Sequence, residues 1–120
     1  MVNQTRLYGL NYLAYNKRMV PNAEAILADS AKRLFPSLSK DEALASLLLE
    51  RAQRNLIKYQ SQARQYEAKY QHSFDEFRRI VIDGEPKEEE EQDYFDWELA
   101  VTGATDMKRE IDRLSELLDQ

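Results

Sequence analysis

The chain contains no cysteine, a single histidine and a single tryptophan, and only three glycines and three prolines in 120 residues. Without thiols, disulfides, cysteine-ligated zinc and thiol nucleophiles are excluded, and the redox compartment leaves no signature. So few helix breakers, set against 32% charged residues and a composition rich in Leu, Ala, Glu, Lys, Arg and Gln, favour helix over sheet or disorder. No run of about 18 apolar residues exists to span a membrane, and the opening MVNQTRLYGLNYLAYN lacks the unbroken apolar core of a signal peptide. A cytoplasmic protein without membrane attachment is expected. The length suits one domain with a modest core.

Charge is unevenly divided. The net charge is −5, but residues 1–82 carry 13 basic against 8 acidic side chains, or +5, and residues 83–120 carry 4 against 14, or −10. Such a split marks either two surfaces with different partners or no more than solvated helix faces.

Along the chain, residues 1–20 mix Tyr8, Tyr12 and Tyr15 with leucines around Gly9 and read as an irregular arm; residues 21–120 read as one helical-hairpin domain. Asn22 is positioned as an N-cap, and Ala23, Ile26, Leu27, Ala31, Leu34 and Phe35 keep helical spacing until Pro36 ends the run. Ser39-Lys40-Asp41-Glu42 is a capping box. Behind it Leu44, Leu48, Ala52, Leu56, Tyr59, Ala63, Tyr66 and Tyr70 form a stripe stepping by three and four, uninterrupted by proline or glycine. Ser73-Phe74-Asp75-Glu76 repeats the capping box and predicts a short helix burying Phe74, Phe77, Ile80 and Val81. Gly84 is expected to end it in the left-handed conformation, before Pro86. The acidic run Glu88–Glu91 then serves as a linker or as the first turn of the next helix, where the dipole favours negative charge. From Tyr94 a second stripe continues through 97, 101, 104, 107, 111, 114 and 118. Two striped helices joined by a short capped segment predict an all-α fold: a long antiparallel, coiled-coil-like hairpin with short N-terminal and connecting helices. Gly103, inside the second stripe, either permits close helix approach or is a tolerated weak spot costing about 1 kcal/mol. One hairpin buries little, so a homodimer or a stable partner is expected.

Reactive chemistry is hard to assemble from these residues. His72 stands just before the Ser73 cap, a place for a turn or a packing contact with Phe77, not for a general base. Phosphate-loop, dinucleotide, zinc-hydrolase and nucleophile-elbow motifs are missing. Consecutive glutamates on a helix point in four directions, and no Glu-x-x-His pair accompanies them, so neither a metal site nor a cofactor is expected. No catalytic residue is assigned. Arg51, Arg54 and Lys58, with Arg64 and Lys69 further along and Arg6, Lys17 and Arg18 upstream, offer a basic face able to meet phosphates. Ordinary solvation explains the same face, given the interspersed Glu50 and Glu67 and a pI near 5.0. Tyr59, Tyr66 and Tyr70 continue the leucine stripe as core, or stack on bases or a partner.

The densest acid in the chain runs directly into DYFDWE. On a helix Tyr94, Trp97 and Val101 share one face and pack inward, leaving Phe95 partly exposed among carboxylates. Aromatics ringed by acid suit the capture of a basic protein: rings supply contact area, and acids speed encounter and select charge. The alternative is an acidic helix start with aromatic core residues at its base. The candidate partner-binding residues are Glu88, Glu89, Glu90, Glu91, Asp93, Tyr94, Phe95, Trp97 and Glu98.

Residues 34–118, through YEAKYQHSFDEF and DYFDWE, resemble small helical bacterial and archaeal proteins similar to the antitoxin partners of two-gene toxin–antitoxin pairs. The matching positions are Tyr66, Glu67, Lys69, Tyr70, Ser73, Phe74, Glu76 and Phe77, then Asp93, Tyr94, Phe95, Trp97 and Glu98. The resemblance implies a non-enzymatic interaction protein that sequesters a basic toxin through segment 88–98. Unlike ribbon-helix-helix antitoxins, the chain shows no alternating strand within 1–20. A homo-oligomeric coiled-coil scaffold and a DNA-binding regulator are the alternative expectations.

Overall fold

The computed structural model describes residues 22–119, in which four α-helices follow one another: α1 (Ala23–Leu34), α2 (Lys40–Tyr70), α3 (Phe74–Asp83) and α4 (Glu88–Leu118). No strand occurs among the described residues. The expected arm, residues 1–20, lies outside them, as do Arg6, Lys17 and Arg18. The chain divides into two compact units, the first ending at Ala43 and the second running from Leu44 to Gln120.

In the first unit α1 starts at the expected place, but Asn22 makes no side-chain cap; its carbonyl accepts from the Ile26 N–H at 3.0 Å. No residue of α1 is buried. The capping box that opens α2 forms as read: the Ser39 N–H donates to Glu42 Oε1 at 2.8 Å, and the Glu42 N–H donates to Ser39 Oγ at 3.1 Å.

The second unit is an antiparallel helical hairpin. Tyr59 lies against Gly103, Tyr66 stacks on Trp97 and Lys69 reaches Asp93 and Glu89, so α4 numbers fall as α2 numbers rise. The chain leaves α2 through Gln71, which takes a left-handed φ of 57° and donates its side-chain Nε2–H to the Ala68 carbonyl. The second capping box then starts α3: the Ser73 N–H donates to Glu76 Oε1, and the Glu76 N–H donates to Ser73 Oγ. The bond from the Ser73 N–H, aided by His72, holds the Glu76 carboxyl below its usual range.

Three expectations need correction. Gly84 ends α3 in extended backbone (φ −110°, ψ −160°), with no left-handed turn. Its lack of a side chain matters for space, because a Cβ there would sit 2.7 Å from the Ile80 carbonyl oxygen. Of the four α3 residues expected inside, Phe77 and Val81 are buried and Phe74 is partly buried, but Ile80 is exposed. Leu44 and Leu48, expected in the seam, are 55% and 48% exposed. Ala52, a member of the expected stripe, is buried, and so are Ala45 and Ala100, which neither stripe included. The helical stripe therefore points inward through its tyrosines and drifts outward at its leucine end.

Of the two readings of Gly103, close approach is the one realised. A Cβ at 103 would stand 2.7 Å from ring atoms of Tyr59. Gly103→Ala is expected to destabilise the fold by about 1 kcal/mol, overpacking outweighing the gain in helix propensity. In a Tyr59→Ala background the clash is gone, so the same substitution should stabilise by about 1 kcal/mol. Urea unfolding of the four-member cycle reads the change of sign.

Candidate partner-binding site

The acidic run is the first turn of α4, not a linker. The Lys87 N–H donates to Glu90 Oε1 at 2.8 Å, which assigns Glu90 to capping its own helix. Glu89 and Asp93, one turn apart, both reach Lys69 of α2 at 2.6 Å, and Asp93 also accepts from the Tyr70 hydroxyl at 2.5 Å. The acids nearest the turn thus hold the two long helices together.

Beneath them lies an aromatic cluster drawn from three helices. Trp97, 1% exposed, has Tyr66 at 5.8 Å and Tyr70 at 6.5 Å between ring centroids from α2. From α3 it receives Phe74 edge-on at 5.4 Å and Phe77 at 5.4 Å. Phe74 stacks on Tyr94, and Tyr70 packs on Phe77 at 4.2 Å. Offset and edge-to-face pairs of this kind add to the area they bury.

Burial shapes the acid–base character of the network. Burial first, and the hydrogen bond to Asp93 second, push the Tyr70 hydroxyl up to about 12. Burial, with the charges of Asp96 and Asp93 adding to it, raises Tyr66 as well. Burial alone would raise Asp93, but hydrogen bonds from Lys69 and Tyr70 and the Lys69 charge together hold its carboxyl below the usual range. Lys69 is raised by its hydrogen bonds to Asp93 and Glu89.

The nine candidate residues are therefore divided. Tyr94 and Trp97 are core, Asp93 and Glu89 are engaged with Lys69, and Glu90 caps the helix. Glu88, Glu91, Phe95 and Glu98 lie exposed on the outer side of α4. Phe95 is 53% exposed, and the next residue on its face, Leu99, which pattern reading did not single out, is 68% exposed. Its signal was the i, i+4 spacing from Phe95.

Of the basic residues, Arg51, Arg54 and Lys58 are exposed on α2, whereas Lys69 is committed to the hairpin. Arg51 and Arg54 line a groove of about 460 Å³ with Leu47, Leu48 and Glu50. His72 sits in the turn with Nδ1 3.5 Å from Glu76 Oε1, a local contact. Among the described residues no group of three or more His, Cys, Asp or Glu is placed to hold a metal ion, and no helix is long and apolar enough to cross a membrane. Comparison with protein-family models, curated proteins and solved structures returns no match.

Proposed function

We propose that this protein is a non-enzymatic interaction module, antitoxin-like in its role, that captures a basic protein on the outer side of α4. The observation that supports this reading most is the division of DYFDWE by the helix: Tyr94 and Trp97 are used by the core, while Phe95 and Leu99 are left exposed among Glu88, Glu91 and Glu98. An exposed aromatic with an aliphatic neighbour inside a ring of carboxylates has the anatomy of a hot spot, with long-range attraction for positive charge around it. The excess acid of residues 83–120 strengthens that attraction, and the resemblance to antitoxin partners agrees with it.

Affinity capture of the tagged protein from its own host, followed by mass spectrometry, tests the proposal. A stoichiometric small basic protein is expected. It should be lost, by a factor of at least 100 in affinity, when Phe95→Ala is combined with Glu88→Lys and Glu91→Lys. Glu88 and Glu91 are exposed, and Phe95 touches the core only through the Tyr94 ring, 5.4 Å away, so helicity by circular dichroism should be largely retained. Capture that survives the triple substitution removes this surface from the mechanism.

A further inference from the structure

Two exposed apolar patches on the hairpin carry opposite charge. On α2, Leu47 and Leu48 line a groove with Arg51, Arg54 and Glu50, a net positive set, and Leu44 is exposed one turn before Leu48. On α4, Phe95 and Leu99 share a face with Asp106, which also accepts from Arg109 at 3.2 Å, and have Asp96 beside them. Contiguous apolar surface on a soluble hairpin marks an interaction site, and here there are two.

Both patches open on the same side. A groove of about 440 Å³ between α2 and α4 is lined by Gln62 and Gln65 on one wall and by Asp96 and Leu99 on the other. Gln62 follows Leu44 by about five full turns of 3.6 residues, so Leu44 points in the direction of that groove. α3 occupies the other side of the hairpin, where Phe74 covers Tyr94, about 140° around α4 from Leu99.

We infer that two copies of this chain pair across that side about a two-fold axis. Each Leu44/Leu48 patch with its arginines seats on the Phe95/Leu99 patch and carboxylates of the other copy. The patches match in form as well as charge, since each presents an apolar pair at i, i+4. The Tyr59–Gly103 and Lys69–Asp93 contacts set the level of each α4 residue against α2. That register puts the patch centres about 28 Å apart along the hairpin and one helix spacing, about 9 Å, apart across it. A two-fold axis that exchanges them crosses the hairpins at about 35°, an angle at which helices pack. The interface is isologous and closed, so each copy covers both of its own patches in a single association. A basic partner on α4 alone leaves the leucines uncovered, and an acidic partner on α2 alone leaves Phe95 and Leu99 uncovered. The second copy competes with the basic partner proposed above for Phe95 and Leu99, but the pairing itself stands without that partner.

Sedimentation equilibrium of the full chain tests the pairing through a charge exchange. The wild-type chain is expected to dimerise. Arg51→Glu/Arg54→Glu and Asp96→Lys/Asp106→Lys should each weaken self-association at least tenfold, because like charges then face each other in both seats. An equimolar mixture of the two variants should restore the dimer as a heterodimer, since both of its seats again oppose positive to negative. Leu48→Ser, at an exposed position outside the hairpin core, should weaken the wild-type dimer while leaving the helical circular dichroism intact. A wild-type chain that stays monomeric at about 100 µM, weaker than a specific pairing of this size requires, overturns the inference. So does a dimer that survives both exchanges, or a mixture that stays monomeric. Failure to capture a basic protein with the dimer intact removes only the partner reading.

Discussion

Trp97→Ala is expected to cost about 3–5 kcal/mol of stability, the range for emptying a large aromatic site that cannot collapse. That should lower the unfolding temperature by roughly 15–30 °C. The indole touches rings from both α2 and α3, so its removal detaches the connecting helix as well as opening a cavity between the long ones. Trp97→Phe keeps most of the apolar volume and should cost less than half as much. The comparison is read by circular dichroism at increasing urea, because the variants lack the chain's only tryptophan as a fluorescent probe. A loss below about 1 kcal/mol for the alanine variant would mean that the cluster collapses around the gap or does not hold the hairpin.

The pairing of dense acid with the sole tryptophan then has a structural cause. A turn of about 20 residues must bring the end of α2 back against the start of α4, and the site of return is where the aromatic side chains of three helices meet. Carboxylates on the first turn of α4 suit its dipole. Glu89 in that turn and Asp93 in the next are placed to fasten Lys69 over the aromatic cluster. The surface available to a partner is the exposed part of Phe95 and the outward Glu88 and Glu91, with Glu98 also accepting from the Tyr94 hydroxyl.

Both capping boxes, the spans of the two long helices and the inward aromatics were legible in the sequence, because each depends on residues within one or two turns of one another. The leucine end of the α2 stripe was misjudged for a physical reason. A step of four residues turns 400°, not 360°, so Leu44, at the start of the stripe, lags well behind Tyr59 and Ala63 and comes to face solvent. Small residues hid other buried positions: Ala45 and Ala100 carry little hydrophobic signal, yet both are buried. The Lys69–Asp93–Tyr70 network joins positions 23 and 24 residues apart, and only the register of the hairpin, which periodicity does not set, brings them together. Lys69 consequently read as one more member of a basic face.

Removing that network's centre gives the second large effect. Asp93→Ala should destabilise the hairpin by about 2–3 kcal/mol, mostly through the charge-assisted bond from the half-buried Tyr70 hydroxyl. The ion pair with Lys69 is partly exposed and screened by solvent, so it adds little. The pH dependence separates this from a simple packing defect. Asp93 titrates below its ordinary range in the fold, so its contribution is complete above the unfolded value of about 4 and is lost as pH falls through the lowered folded value. Tyr70 and Lys69 are both raised, so what they contribute is complete below about pH 10 and is lost as pH rises, through about 12 in the case of Tyr70. Wild-type stability should therefore hold a plateau between roughly pH 5 and 9 and fall on both sides. The Asp93→Ala curve should lie lower on the plateau, with a shallower acid limb because the titrating carboxylate is gone. Its alkaline limb should be shallower too, because Tyr70 and Lys69 lose the partner that raises them. Urea unfolding across this range measures both limbs, and a variant curve displaced downward by the same amount at every pH would show that Asp93 acts through packing alone.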